Sequence, residues 1–162
     1  MFPSPLLRLA EVVLADARDQ KLRIATAESC TGGLIGALLT EIPGSSDVFD
    51  RGFIVYSNRA KSDLLNIPGD LIADLGAVSE AVARAMAEGA VQNSNAHMAV
   101  SVTGVAGPGG GTKMKPVGLV HIAAARERRS ILHEAHRFGD IGRSEIRMKA
   151  VEAALTLLHR LM

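Results

Sequence analysis

Aromatic residues are scarce in this sequence. Tryptophan is absent, tyrosine occurs once, and aromatic residues make up 3% of the 162 residues. A hydrophobic core must therefore be built from Ala, Val, Leu and Ile, and the 16 glycines allow chain segments to approach closely. Cysteine also occurs once, as Cys30, which excludes an internal disulfide and favours a reducing compartment.

The sequence also lacks a charge surplus and a long apolar segment. The 18 basic and 17 acidic residues give a formal net charge of +1, so we expect neither nucleic acid nor a membrane as the main partner. No apolar run approaches the roughly 20 residues of a membrane span, and the N-terminus lacks the features of a signal peptide. We expect a cytoplasmic protein in which residues 1–162 form a single domain.

Hydrophobic spacing predicts alternating helices and strands. Helical periodicity predicts five helices, at residues 5–20, 31–39, 58–65, 80–91 and 142–159. Short or alternating apolar runs predict five strands, at residues 22–28, 51–57, 96–103, 117–124 and 131–138. Helices between the early strands favour parallel pairing, and the short turn between the last two strands favours a hairpin. We therefore predict the α/β class, with a three-layer α/β/α sandwich around a mixed, partly parallel sheet.

Polar or glycine-rich segments follow three of the predicted strands. They comprise residues 28–33, 56–61 and 103–112. In open α/β sheets, ligands bind at the carboxyl ends of the strands, where loops and helix N-termini meet. Three such segments together predict a binding or catalytic site at this edge of the sheet.

Ser29 is the candidate nucleophile, because it lies between a predicted strand and the start of a predicted helix. Backbone N–H groups at that start can hold an oxyanion, and Gly32 and Gly33 would let a substrate lie close to the backbone. Ser29 or Thr31 is equally suited to capping the helix. Cys30 competes for the same role, since a helix N-terminus lowers a thiol pKa, although a lone cysteine is more often buried and inert.

Lys61 is the candidate base for Ser29. It falls in the first turn of a predicted helix capped by Asn58, where the helix dipole disfavours a charged ammonium group and lowers its pKa. A lysine with a lowered pKa can accept the proton of a serine hydroxyl. Tyr56 lies at the same strand end and is placed to position or relay a proton. The alternative is that Lys61 is an ordinary surface lysine.

Two further features suggest anion binding, and one pattern does not indicate a metal. Arg143 and Arg147 lie one turn apart at the start of the last helix and are able to clamp an anion, although surface ion pairs are their default role. The loop 104–112 is rich in glycine but lacks the ending of a phosphate-binding Walker loop. His133 and His136 do not match the helical zinc pattern, so we predict no metal and no cofactor.

Five segments, in this order along the chain, resemble the CinA C-terminal domain family. They are Thr26–Gly33 (TAESCTGG), Pro43–Ser46 (PGSS), Gly52–Asn58 (GFIVYSN), Gly76–Glu80 (GAVSE) and Thr103–Gly110 (TGVAGPGG). The resemblance spans nearly the whole chain and implies a three-layer α/β/α fold. It also implies an amidohydrolase that converts nicotinamide mononucleotide (NMN) to nicotinate mononucleotide and ammonia in pyridine nucleotide salvage. Some relatives carry an additional domain with pyrophosphatase character, which we do not expect in these 162 residues.

The resemblance assigns roles to particular residues. It implies Ser29 as nucleophile, Lys61 as its base and Tyr56 as an assisting group, with Arg143 as a phosphate contact. The remaining substrate-binding residues that we predict are Thr31, Gly32, Gly33, Thr103 and Gly104.

Two other functions remain open at this point. One is a non-catalytic module that binds a nucleotide or a partner and is linked to competence or recombination. The other keeps the site but acts on a different nucleotide amide. Because the predicted helices are rich in alanine and the core has few large side chains, we also expect a homo-oligomer.

Overall fold

The computed structural model describes all 162 residues and places a five-stranded sheet between two layers of helices. In chain order the elements are α1 (Ser4–Asp19), β1 (Ile24–Glu28), α2 (Leu34–Glu41), β2 (Phe49–Ile54), α3 (Asn58–Leu65), α4 (Gly69–Leu75), α5 (Glu80–Gln92), β3 (Met98–Gly104), β4 (Leu119–Arg126), β5 (Leu132–Arg137) and α6 (Arg143–Arg160). A 3₁₀ turn at Ser45–Asp47 precedes β2. None of the helices is both long enough and apolar enough to cross a membrane.

The sheet is mixed, as the sequence predicted. Its strand order is β2-β1-β3-β4-β5. Strand β1 pairs in parallel with β2 on one side and with β3 on the other, while β4 runs antiparallel to both β3 and β5. Because the chain leaves β1 for β2 in one direction and reaches β3 in the other, the carboxyl end of β1 lies at a switch point of the topology. Ligand sites of open α/β sheets form at such points.

The two faces of the sheet are covered by different helices and carry different side chains. Helices α1, α2 and α6 pack on the face with the larger residues of β1, β3 and β4, which include Ile24, Val100 and Ile122. Helices α3, α4 and α5 cover a face that is mostly alanine. Because alanine side chains are small, these helices can lie close to the sheet. A core with few aromatic residues can be closely packed in this way.

Gly89 allows α5 to pack tightly against the end of α3. A Cβ atom at this position would lie 2.5 Å from the carbonyl oxygen of Leu65, a distance that real Cβ atoms do not reach. This contact fixes α3, and therefore the residues at its N-terminus, against the body of the domain.

Most helix and strand bounds differ from the predicted ones by one to three residues, and three differences near the site or in the element order have a clear physical reason. Helix α2 begins at Leu34 instead of residue 31, because Gly32 and Gly33 have φ values of +58° and +101°, which lie outside the helical region. The side chain of Ser57, not Asn58, caps α3. Helix α4 is not among the predicted helices, because Pro68-Gly69 also fits the end of the preceding helix. Pro68 in fact occupies the N-cap of α4, at a helix start where proline is tolerated.

Candidate active site

Ser29 directly follows the last residue of β1, at the switch point of the sheet. Its backbone N–H donates to the carbonyl oxygen of Val102 in β3 over 3.0 Å, and its carbonyl oxygen accepts from the N–H of Gly32 over 3.1 Å. The side chain is 8% exposed. The hydroxyl is therefore held at a fixed position between β1 and α2, at the edge of the sheet where the sequence predicted a site.

Lys61 is buried and contacts Ser29. The side chain is 1% exposed, and its Nζ lies 3.0 Å from the Oγ of Ser29. The same Nζ lies 2.8 Å from the carbonyl oxygen of Val55 and 3.2 Å from that of Tyr56. These two carbonyls belong to the segment between β2 and α3, so the chain that leads into the helix also holds the lysine in place.

The surroundings of Lys61 favour an uncharged amine. Burial lowers the pKa of this amine, and no carboxylate pairs with it to oppose the effect. The three contacts are compatible with the neutral amine, because two N–H bonds can donate to the carbonyl oxygens of Val55 and Tyr56 while the lone pair accepts from the hydroxyl of Ser29. Burial is the main cause of the lowered pKa.

Cys30 is a poor competitor for the nucleophile role. Both Ser29 and Cys30 line the same cavity, so orientation alone does not distinguish them. Burial raises the pKa of the Cys30 thiol to about 11, which leaves it protonated at neutral pH and unreactive. The lowered thiol pKa considered from the sequence is wrong, because desolvation outweighs the effect of the nearby positive groups.

Glu28 is a buried carboxylate that is not among the predicted site residues. It is 1% exposed, and its two oxygens accept from the N–H groups of Ile35 and Gly36 over 2.9 and 3.1 Å. The hydroxyl of Thr31 donates to it as well, over 2.7 Å. Glu28, the last residue of β1, therefore caps α2. Its hydrogen bonds join the strand before Ser29 to the helix after it. A single acidic residue at the end of an otherwise apolar strand was the available signal.

Three backbone donors in the turn after Ser29 remain without a partner in the protein. The N–H groups of Cys30, Thr31 and Gly33 make no hydrogen bond, whereas those of Gly32 and Leu34 are used within the turn. Of the three residues, Cys30 is adjacent to Ser29 and lines the cavity. An N–H group directly after a nucleophile is a common component of an oxyanion site.

A cavity of about 210 Å³ opens at this edge of the sheet. Its walls are formed by Ser29, Cys30, Tyr56, Lys61, Ala77, Val78, Thr103, Gly104, Ala106 and Arg143. The hydroxyl of Thr103 donates to the carbonyl oxygen of Ala77 over 2.9 Å, which attaches the segment before α5 to the end of β3. Gly104 is required here, because a Cβ atom would lie 2.7 Å from the Cγ2 of Val120.

Arg143 and Arg147 have different environments although they lie one turn apart. Arg143 lines the cavity, donates to the carbonyl oxygen of Gly107 over 2.7 Å and lies 3.2 Å from the hydroxyl of Tyr56. Arg147 instead donates to the carbonyl oxygens of Cys30 and Thr31 over 3.0 and 3.2 Å. Arg143 is thus the arginine available to a ligand, and Arg147 supports the turn that carries Ser29.

Comparison with known proteins identifies the family. The family model described as CinA C-terminal domain matches residues 6–162. The chain belongs to the CinA C-terminal domain family. A CinA-like protein of Synechococcus sp. is 54% identical over 151 residues, which cover 93% of this chain and 36% of that protein. The curated relatives it matches first are thus longer proteins, of which it spans about a third.

Solved structures of CinA proteins share the fold over their full length. A competence/damage inducible protein of Agrobacterium tumefaciens is 50% identical, with a TM-score of 0.98 and coverage of 99% of this chain and 98% of that one. A CinA superfamily protein of Escherichia coli is 27% identical, with a TM-score of 0.92 and coverage of 100% and 94%. The predicted resemblance and fold class are both confirmed. The names of these relatives do not state a reaction.

Six of the predicted site residues of this CinA domain surround one cavity, and three do not. Ser29, Lys61, Tyr56, Thr103, Gly104 and Arg143 line it. Thr31 is fully buried against Glu28, and Gly32 lies near Arg147 instead of the cavity. A Cβ atom at Gly33 would meet the side chain of Ile54 at 2.9 Å. These three residues form the turn behind Ser29 and do not contribute to the cavity wall.

Tyr56 contributes in a different way from the one suggested by the sequence. Its phenol hydroxyl pairs with Arg143 and makes no hydrogen bond to Ser29 or Lys61, whereas its backbone carbonyl accepts from Lys61. The ring is 63% exposed at the mouth of the cavity. No group of three or more His, Cys, Asp and Glu side chains in the chain has a metal-binding arrangement.

Proposed function

We propose that this CinA domain is an amidohydrolase that converts NMN to nicotinate mononucleotide and ammonia, with Ser29 as nucleophile and Lys61 as base. The observation that carries the proposal is the 3.0 Å contact between the buried Nζ of Lys61 and the Oγ of Ser29. A lysine buried without a carboxylate costs stability. A scaffold has no need for such a group beside a serine, whereas a Ser-Lys pair is an established arrangement for acyl transfer.

The proposed reaction uses Lys61 to move protons in both steps. Neutral Lys61 accepts the hydroxyl proton of Ser29 as the Oγ bonds to the carboxamide carbon, and the N–H group of Cys30, a residue that lines the cavity, holds the oxyanion. Lys61 then gives the proton to the amide nitrogen, the C–N bond breaks, and ammonia leaves an ester on Ser29. Water loses a proton to Lys61 as it attacks this ester. Lys61 then returns that proton to the Oγ of Ser29 as the ester C–O bond breaks, which releases nicotinate mononucleotide and restores both the serine hydroxyl and the neutral amine.

The cavity supports a small amide attached to an anion. At about 210 Å³ it is smaller than the roughly 300–1,000 Å³ of sites that enclose drug-sized ligands. An amide-bearing ring is therefore proposed to fill it while a phosphate extends to its mouth. Arg143 lies at that mouth, and its guanidinium group is suited to bind a phosphate. No cofactor is part of this proposal.

Ammonia release from NMN by the purified protein tests the proposal. Nicotinamide serves as the substrate control, because it has the amide without the phosphoribosyl group. Ser29→Ala and Lys61→Met are expected to lower kcat by several orders of magnitude, since each removes a group that forms or breaks bonds. Lys149→Met is the matched control, because Lys149 is an exposed lysine of α6 away from the cavity.

The outcomes separate the open alternatives. Release from NMN alone, lost in Ser29→Ala and Lys61→Met, supports the NMN amidohydrolase. Ammonia release from another nucleotide amide but not from NMN would support the proposed amide hydrolysis with a different substrate. If the protein binds NMN but does not turn it over even at high protein concentration, the result would contradict the enzyme and support a nucleotide-binding module. For the functioning protein we propose a cytoplasmic location, where Cys30 would remain reduced. Homo-oligomerisation remains a prediction.

A further inference from the structure

A second and larger cavity, here called the His121 cavity, lies over β4 and β5 beside the N-terminus of α5. Its volume is about 560 Å³, against about 210 Å³ for the cavity at Ser29. The two cavities share only Val78, and the segment before α5 separates them. None of the residues that hold Ser29 or Lys61 lines the His121 cavity, so the proposed reaction does not account for it.

The positive charges of the His121 cavity exceed its negative charges. Arg84, Lys115 and Arg137 line it, and Glu80 is its only acidic residue. Glu80 is already paired with Arg84, with 2.8 Å between Oε2 and Nε. Lys115 donates to the carbonyl oxygen of Leu75 and has two further N–H bonds, while the guanidinium group of Arg137 makes no hydrogen bond or ion pair. Two cationic side chains are therefore available to a ligand.

His121 presents a hydrogen-bond acceptor to this cavity. Its Nδ1 lies 2.9 Å from the Nε2 of His133, whose own Nδ1 lies 3.5 Å from Oε1 of Glu80. Burial lowers the pKa of both imidazoles, so both are neutral near pH 7. Because Glu80 attracts a proton on the Nδ1 of His133, the Nε2 of His133 accepts and the Nδ1 of His121 donates. The Nε2 of His121 is then an acceptor without a partner in the protein.

The remaining wall is apolar and partly exposed. Leu75 and Met114 are 48% and 79% exposed, although both are large apolar residues, and Val78 and Leu119 lie beside them. A wall of this kind can cover the flat or apolar part of a small molecule. The cavity thus combines an apolar wall with two available cationic side chains and one hydrogen-bond acceptor. A matching ligand has an apolar part, a negative charge and a hydrogen-bond donor.

We propose that the His121 cavity binds a phosphate monoester with a flat apolar body and a hydroxyl or N–H donor, the chemistry of a nucleoside monophosphate. The phosphate carries a charge of about −1.5 to −2 at pH 7, which matches Lys115 and Arg137. The base lies against Leu75 and Met114, and a ribose or amino donor reaches His121. This site is separate from the Ser29 cavity and does not depend on the proposed amidohydrolase reaction.

Calorimetric titration of the purified protein with AMP, and with adenosine as the matched ligand without phosphate, tests the site. AMP is expected to bind saturably with one site per chain, and adenosine at least tenfold more weakly. Arg137→Gln and Lys115→Gln should each weaken AMP binding by about tenfold or more, because a hydrogen bond to a charged group is lost. Arg8→Gln is the control, because Arg8 is an exposed residue of α1 on the other side of the sheet. This substitution should leave AMP binding unchanged.

Three results would overturn the proposal. The first is the absence of saturable AMP binding at millimolar concentration. The second is weaker binding in Arg143→Gln together with unchanged binding in Arg137→Gln, which would assign AMP to the Ser29 cavity. The third is a change of molecular mass in sedimentation on Arg137→Gln, which would assign this surface to a second copy of the chain.

Discussion

The carboxylate of Glu28 accepts a hydrogen bond from the hydroxyl of Thr31 over 2.7 Å, across the turn that carries Ser29. The same carboxylate accepts from the N–H groups of Ile35 and Gly36 in the first turn of α2. The strand that ends beside Ser29 and the helix that follows it are thus joined through one side chain. Because neither Glu28 nor Thr31 lines the cavity, their contribution to catalysis would be to fix the position of the Ser29 hydroxyl.

Glu28→Gln is expected to destabilise the domain and to lower turnover together. An amide has one acceptor oxygen, so its NH₂ group would face one of the backbone N–H donors of α2 and leave it unsatisfied. The expected loss in the free energy of unfolding is about 1–3 kcal/mol. Urea unfolding of the variant measures it, with Glu11→Gln on the exposed face of α1 as control. Unchanged unfolding of Glu28→Gln would show that the turn is held by other contacts.

Much of this site follows from the sequence because strand ends are predictable. Ser29, Tyr56 and Thr103 lie at or just after the ends of three strands that pair side by side, and topology alone brings such positions together. Side-chain direction within a turn is not predictable in this way. Gly32 and Gly33 adopt left-handed conformations that turn the chain behind Ser29, so residues 31–33 do not reach the cavity although they lie close to the nucleophile in sequence.

The two arginines of α6 illustrate the same limit. Arg143 and Arg147 lie four residues apart and share a helix face, so periodicity cannot distinguish them. Their roles depend on which backbone each one meets: the loop at Gly107 for Arg143, and the turn after Ser29 for Arg147. These contacts join segments more than thirty residues apart in the chain, and local sequence does not specify them.

The protonation state of Lys61 predicts a pH dependence of stability. Burial lowers its pKa in the folded state relative to the ordinary value of about 10.4, so the unfolded chain binds more protons between the two values. Stability therefore rises with pH through that window, and below the folded pKa the domain carries the full cost of a buried charge. Turnover should rise with pH over the folded pKa, because the base must be neutral.

Lys61→Met isolates this effect. The variant lacks the titrating group and therefore the cost of burying its charge. Its free energy of unfolding minus that of the wild type should be largest at low pH. The difference should fall as pH rises toward the ordinary lysine pKa. Chemical unfolding of both proteins across this pH range measures the difference. For Lys149→Met, the difference in the free energy of unfolding from the wild type should not change with pH, since Lys149 is exposed. A pH-independent difference for Lys61→Met would mean that Lys61 keeps an ordinary pKa.

The Cys30 thiol is expected to be inert in the folded protein. With a pKa of about 11, about one thiol in a thousand is ionised at pH 8, against about a quarter for an unperturbed thiol. Alkylation by iodoacetamide should therefore be slower by about a hundredfold or more in the native than in the urea-unfolded protein. Cys30→Ala should keep turnover within a few-fold. Loss of turnover in Cys30→Ala equal to that in Ser29→Ala would instead point to the thiol.

Arg143→Gln and Arg147→Gln form a matched pair that separates ligand binding from support of the turn. Arg143 is exposed at the start of α6 and lines the cavity, so its substitution should leave stability within about 0.5 kcal/mol. It should raise the KM for NMN by about tenfold or more through the lost phosphate contact, with kcat little changed.

Arg147→Gln should have the opposite pattern. Its guanidinium group holds the carbonyl oxygens of Cys30 and Thr31, and losing these bonds should lower stability by about 1–3 kcal/mol. It should also lower kcat more than it changes KM, because the Ser29 hydroxyl and the free N–H groups beside it would no longer be held in place. Steady-state kinetics on NMN and urea unfolding of both variants measure the two effects. A higher KM in Arg147→Gln with kcat and stability intact would make Arg147 the phosphate contact, since only a ligand contact changes binding alone.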